Sequence, residues 1–208
     1  MAFRVAVLIS GEGTNLQAIL DSVHGRDGIE VVGVAASKED ARGLERAQSA
    51  GVDSAAFEIA AYDDRPARDQ ALGDWLEERT VDLLVLAGFM EILGPDFIRR
   101  FEGKMVNVHP SLLPAFPGVQ AIEKALEHGV KVAGVTVHFV DEGVDSGPIV
   151  LQEAFELPYP RHIAEIEERI HEIEHRLLPR AVRLIAAGSI RPDPDNPRVV
   201  LIEDGRGD

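Results

Sequence analysis

The sequence predicts an α/β fold, a Rossmann-like, doubly wound, mostly parallel sheet whose C-terminal part turns antiparallel. Three observations predict it. Apolar runs alternate with stretches of helical length from Phe3 to Phe101. Those runs are nearly continuous in apolar residues, as strands covered on both faces are. A glycine loop, Ser10-Gly11-Glu12-Gly13-Thr14-Asn15, joins the first run to the first helical stretch, the place of the first βα turn in such sheets.

In chain order, Phe3 to Ile9 reads as a buried strand and Leu16 to Val23 as a helix with apolar residues at helical spacing. Glu30 to Ala36 is a second strand, Asp40 to Ala50 a second helix and Val52 to Ile59 a third strand. Ala67 to Arg79 reads as a helix, Val81 to Ala87 as a fourth strand and Pro95 to Phe101 as a short helix opened by its proline. Met105 to Val108 is a further strand, closed by Pro110, which lacks an N–H and steers His109 away from helical geometry. Ala121 to His128 then reads as a helix, followed by strands at Val132 to Val140 and Pro148 to Phe155. The loop between these two strands is too short for a parallel crossover, so they pair antiparallel. Ile163, Ile166, Ile170, Ile173, Leu177 and Leu184 recur at helical spacing, predicting a long amphipathic helix from His162 to Ala187 with a bend near Pro179. Gly188 stops it. Val199 to Ile202 reads as a terminal strand ahead of an acidic tail. The expected organisation is one domain over 1–188, with 189–208 a strand and tail packed on it.

Composition removes several function classes. The chain has 208 residues, 45% hydrophobic and 27% charged, enough for a large core without cross-links. It has no cysteine, which excludes disulfides, thiolate metal sites and a cysteine nucleophile. The run Val5 to Ile9 is too short for a signal segment, and no apolar stretch approaches the roughly 18 residues of a membrane span. A cytoplasmic location without membrane partners is expected. With 36 acidic and 21 basic residues the net charge is −15, and the basic residues are scattered, so a nucleic-acid partner is not expected. No metal is expected either, since His, Asp and Glu show no ligand spacing.

Chemistry concentrates where the strand from Met105 meets the turn Pro110-Ser111-Leu112-Leu113-Pro114. In an extended segment residues i and i+2 face one side, so Asn107 and His109 can address one reacting centre. The later stretch Asp141-Glu142-Gly143-Val144-Asp145-Ser146-Gly147-Pro148 supplies carboxylates able to orient the imidazole. Amide, imidazole and carboxylate make an acyl-transfer set. Alone, a histidine beside a turn is more often a structural hydrogen-bonder, and an Asp before Ser-Gly-Pro more often a turn former. The glycine loop offers backbone amides and a helix N-terminus to an anion. It lacks the Gly-Lys-Ser/Thr of a P-loop, and Leu16 replaces the last glycine of the dinucleotide fingerprint, so a mononucleotide-like phosphate fits better.

Together, the string from Asn107 to Pro114, the later Val144-Asp145-Ser146-Gly147-Pro148 and the glycine loop closely resemble the phosphoribosylglycinamide formyltransferase family of purine biosynthesis. The likeness runs from Val5 to about Gly188 and includes Leu86-Ala87-Gly88-Phe89-Met90 and His171-Glu172-Ile173-Glu174-His175. It implies the formyltransferase fold, a catalytic domain over 1–188, and transfer of a formyl group from the co-substrate 10-formyltetrahydrofolate to the amine of glycinamide ribonucleotide in IMP biosynthesis. By the match, Asn107, His109 and Asp145 are the catalytic trio. Gly13, Thr14 and Asn15 match the segment that holds the ribonucleotide phosphate, and Glu174 a residue on the ribose hydroxyls. Met90, Glu91, Ile92 and Leu93 match the segment lining the pterin pocket, with Asn107 also facing the folate and Arg65 matching a folate-contacting arginine. The chain departs from many relatives at Glu91, where they carry a basic residue, and at Gln120 and Ile122, where they often carry histidines.

Ser111-Leu112-Leu113-Pro114 alone is shared by methionyl-tRNA formyltransferase and formyltetrahydrofolate deformylase. The first would need a nucleic-acid-binding extension and the second usually has an N-terminal regulatory domain. A non-catalytic nucleotide- or folate-binding module on the same fold is the alternative of a different class.

Overall fold

The computed structural model describes residues 1–160 and 162–203. They fall into two compact units, the first Met1–Asn107 and the second opening at Val108.

The first unit is a parallel array of strands β1 (Phe3–Ile9), β2 (Ile29–Ala36), β3 (Ser54–Ala56), β4 (Leu83–Leu86) and the start of β5 (Met105–His109), in the order β3-β2-β1-β4-β5. Helices α1 (Thr14–Ser22), α2 (Arg42–Ser49), α3 (Arg65–Glu78) and α4 (Pro95–Arg100) make the crossovers. Val5 through Ile9 and Leu83 through Val85 are buried, so both faces of the central strands are covered. This explains why their sequences show no alternation. The chain winds outward from β1 to β3 and then returns to β4, on the other side of β1. The order therefore reverses between β1 and β4, the kind of point where ligands settle at the carboxyl ends of parallel strands.

In the second unit, β6 (Val132–Phe139) and β7 (Ile149–Glu156) pair antiparallel, with a register shift between Val137 and His138. Helix α5 (Ala121–Glu127) precedes them and α6 (Ile163–Ala186) follows. Helix α6 buries Ile166, Ile170, Ile173 and Leu177 of the stripe that its spacing predicts, adds Leu178 and Val182, leaves Ile163 exposed and Leu184 half-buried, and continues through Pro179. Strands β8 (Ile190–Pro192) and β9 (Val200–Ile202) form a separate antiparallel pair. The expected acidic tail lies beyond the described residues.

Two differences from the expected elements have local causes. The third strand is three residues long, not Val52 to Ile59, because as an edge strand it pairs only with β2. Its exit is a 3-10 turn at Ile59–Ala61. Strand β8 escapes the sequence because Ile190-Arg191-Pro192 is too short and polar to carry a period.

On α6, His175 stacks on His171 with ring centroids 6.1 Å apart. Burial, and then the charge of His171, hold His175 below the ordinary histidine value of 6.5. The folded state thus takes up this proton later than the unfolded chain. The stability involved is complete above the ordinary value and is lost as pH falls through the lowered one. His175→Gln is therefore expected to flatten the decline of the thermal midpoint on acidification from about pH 7 to about pH 5, as measured by calorimetry at intervals across that range.

Candidate active site

Strand β5 is extended through His109, so Asn107 and His109 keep the two-residue offset along one strand. Asn107 is half-buried and His109 is buried. The chain then turns through Pro110 to Pro117. Two polar side chains from β6 and β7 anchor this turn. Thr136 Oγ1 donates to the Ser111 carbonyl at 2.6 Å and accepts from the Leu113 amide at 3.2 Å. Gln152 Nε2 donates to the Leu113 carbonyl at 2.8 Å and to Thr136 Oγ1 at 2.9 Å. Gly134 leaves room for Leu112, whose Cδ2 would stand 2.5 Å from an added Cβ.

The turn delivers two partners to the site. His109 Nε2 donates to the Phe116 carbonyl at 2.9 Å, since a carbonyl can only accept. Its Nδ1 lies 3.3 Å from Asp145 Oδ2, which also accepts the Gly118 amide at 2.7 Å. A second imidazole faces the same carboxylate, with His138 Nε2 at 3.5 Å from Oδ1 and Nδ1 donating to the Phe139 carbonyl at 2.8 Å. Burial pushes the Asp145 carboxyl up. The hydrogen bond from His138, the Gly118 amide and the charges of His109 and His138 outweigh it, and the group falls to about 2 from the ordinary 3.8. Asp145 (φ 50) and Phe116 (φ 54) are both left-handed non-glycine residues. Such strain persists where surrounding contacts fix the backbone. Proton transfer through an oriented imidazole is what this arrangement can do.

The glycine loop sits at the carboxyl end of β1. Gly13 (φ 70) precedes α1 and could not carry a side chain, because a Cβ would come 2.7 Å from Gly43 Cα on α2. The N-cap residue Gly13 has no side chain with which to cap α1 and the first turn has no acidic residue, so nothing of like charge in that turn opposes an anion beside Thr14 and Asn15. Arg46 Nε donates to the Glu12 carbonyl at 2.8 Å, and Arg42 pairs with the Glu12 carboxylate at 3.0 Å.

At the end of β4, Met90 and Ile92 are 79% and 70% exposed, which excludes the core role their composition suggests, whereas Leu93 is buried. Glu91 is half-buried. The Met90 amide donates to Ser10 Oγ at 2.8 Å, tying this segment to the loop after β1. Arg65 opens α3 and is exposed. Glu174 is buried within α6 rather than solvated. The structure thus brings His109 and Asp145 together and sets the glycine loop and the 90–93 segment side by side. Sequence reasoning missed Thr136, His138, Arg42 and Arg46. Thr136 and His138 did carry a signal, two polar residues at period two inside an apolar strand.

Residues 3–182 match the formyl transferase family model. The chain belongs to the formyl transferase family. Among this formyl transferase's relatives of similar length, the phosphoribosylglycinamide formyltransferase of Haemophilus influenzae is 43% identical over 90% of this chain and 89% of that protein. That of Bacillus subtilis is 40% identical over 86% and 93%. The trifunctional purine biosynthetic protein adenosine-3 of Bos taurus is 44% identical over 90% of this chain, which spans only 19% of that protein. The solved glycinamide ribonucleotide transformylase 1 of Symbiobacterium toebii superposes with a TM-score of 0.92 at 48% identity, covering 98% of this chain and 95% of the other. The family resemblance and the mostly parallel fold class are thereby confirmed. Among the described residues no helix is long and apolar enough to cross a membrane.

Two outcomes test the site's construction. Because Asp145 is held at about 2, its contribution to stability is present above the unfolded value and is lost as pH falls through the folded one. The thermal midpoint of Asp145→Asn should lie below the parent's at neutral pH, with the gap closing between about pH 4 and about pH 2. Gly147 packs against the Phe139 carbonyl that His138 uses, and an added Cβ would overlap that oxygen. Gly147→Ala should cost at least about 1–3 kcal/mol in urea denaturation.

Proposed function

We propose that this chain transfers the formyl group of 10-formyltetrahydrofolate to the amine of glycinamide ribonucleotide, giving N-formylglycinamide ribonucleotide and tetrahydrofolate in IMP biosynthesis. The observation that carries this reading is the pairing of buried His109 with half-buried Asp145 at the end of the strand that bears Asn107. The names of the relatives of similar length supply the acceptor and the group transferred, and the formyl folate donor rests on the family resemblance.

The amine attacks the formyl carbon and a tetrahedral oxyanion forms. The Asn107 carboxamide and the His109 imidazolium stabilise it, preorganised donors at the developing charge being the usual main source of such catalysis. His109 gives a proton to the folate nitrogen as the carbon–nitrogen bond to folate breaks and then takes up the one that the amine loses, while the carbonyl re-forms on the product. Asp145 stays ionised throughout, so it orients the imidazole and balances its charge without itself moving a proton. Both His109 nitrogens are engaged in the present structure. The neutral Phe116 carbonyl is the weaker partner, and its contact is exchanged for substrate.

For the substrates, the backbone of Gly13, Thr14 and Asn15 receives the phosphate and Glu174 the ribose hydroxyls. Met90, Glu91, Ile92, Leu93, Asn107 and Arg65 receive the folate. The exposed apolar side chains of Met90 and Ile92 and the exposed cation of Arg65 suit a flat ring system that ends in a carboxylate. With the contacts of the 90–93 segment made by backbone and apolar groups, Glu91 changes little. Residues 1–188 act as one catalytic domain, which 189–208 accompanies, in the cytoplasm.

The test is tetrahydrofolate formation with and without glycinamide ribonucleotide, with the ribonucleotide weighed for an added formyl group. Product only in its presence supports the proposal, whereas formate released in its absence points to a deformylase. Asn107→Ala should lower kcat about 100- to 1000-fold. Near-normal turnover by that variant would sink the role given to Asn107.

A further inference from the structure

Helix α3 carries a charge on its buried face. Arg68, Leu72 and Leu76, spaced by four residues, are all 0% exposed, and Asp69 beside them is 5% exposed. Arg68 Nε donates to Asp69 Oδ1 at 2.7 Å and Nη2 to the Ile92 carbonyl at 3.2 Å. The guanidinium carbon lies 5.9 Å from the centre of the Phe89 ring. Asp69 Oδ2 accepts the Gly94 amide at 2.7 Å. Gly94 permits this approach, because a Cβ there would already stand 3.0 Å from that oxygen. The two side chains thus grip the segment after β4 at Phe89, Ile92 and Gly94.

This pair is a poor device for stability alone. A buried ion pair gives up hydration that its attraction only partly returns, and hydrophobic replacement is often neutral or better. Among the described residues Arg68 Nη1 is also buried without a hydrogen-bond partner, which adds an unmet hydrogen bond. Directional hold on the backbone is what the pair supplies and an apolar pair would not. Its outer consequence is on the same turn, where Met90 and Ile92 are presented to solvent while Leu93 is buried.

We propose that Arg68 and Asp69 are positioning residues that fix the 89–94 turn in the shape that accepts formyl folate. This rests on the reading of residues 90–93 as folate-binding. Arg68 acts through the Ile92 carbonyl and Asp69 through the Gly94 amide, and neither touches substrate.

The experiment compares Arg68→Met, Arg68→Lys and the double variant Arg68→Met with Asp69→Asn. The double variant leaves no unpaired buried charge, and its amide oxygen still accepts from Gly94, so it stays folded if the single variant does not. Each is assayed for KM of both substrates, for kcat and for backbone hydrogen exchange over residues 89–94. The expected result is faster exchange in that segment and a KM for 10-formyltetrahydrofolate raised about tenfold, the scale of one lost hydrogen bond to a charged group. KM for glycinamide ribonucleotide and kcat stay within about twofold on the same scale, and Arg68→Lys recovers part of the loss. Unchanged exchange over 89–94 in a folded double variant overturns the positioning role. A parallel rise of both KM values overturns it too, in favour of a general structural one. Faster exchange with an unchanged folate KM leaves the grip standing and overturns the folate reading of the turn.

Discussion

The second unit depends on the burial of one negative charge. A carboxylate taken out of water must be repaid by donors or it takes up a proton. Asp145 is repaid by His109 at the end of β5, His138 on β6 and the Gly118 amide of the turn between them. Three segments distant in sequence therefore converge on one group. The left-handed backbone at Asp145 and Phe116 is tolerable because both ends are fixed in this way. The same convergence gives the imidazole an orientation before any substrate arrives, which is where an acyl-transfer site gains its rate.

The first unit solves a different problem with its backbone. Parallel strands buried on both faces leave their carboxyl ends as the place where polar groups can be displayed, and the reversal of order between β1 and β4 opens a gap there. Gly13 and Gly43 let α1 and α2 approach closely behind the loop. The Met90 amide on Ser10 ties the two sides of the gap together. Room for the phosphate and ring sites proposed above, beside one another, thus follows from topology before any side chain is chosen.

Much of this was legible in the sequence because it rests on local rules. Continuous apolar runs mark doubly covered strands, Pro110 marks the exit from β5, and the offset from Asn107 to His109 follows from strand geometry. What escaped depends on register or distant partners. His138 reaches Asp145 beside a register shift after Val137, which no sequence period reveals. Arg42 and Arg46 look like scattered surface charges until α2 packs against the loop after β1. Arg68 was detectable, since a charge at four-residue spacing from Leu72 and Leu76 falls on the buried face, but its partners on the 89–94 turn were not. Glu174 lies beside the isoleucine spacing in the sequence yet is buried, because the stripe on α6 is wider than that spacing suggests.

The arginines gathered at the glycine loop stand on a chain whose net charge is −15. At a distance an anion meets the field of the whole molecule, which repels it, and only within a few ångströms does it meet the local cations and amides. Dissolved salt screens the far repulsion over about 8 Å at physiological strength while acting less on contacts already made. Capture of a phosphorylated ligand at the loop, as proposed above, would therefore be governed by two electrostatic ranges of opposite sign, so that moderate salt would hasten encounter where a uniformly basic cleft would be slowed by it.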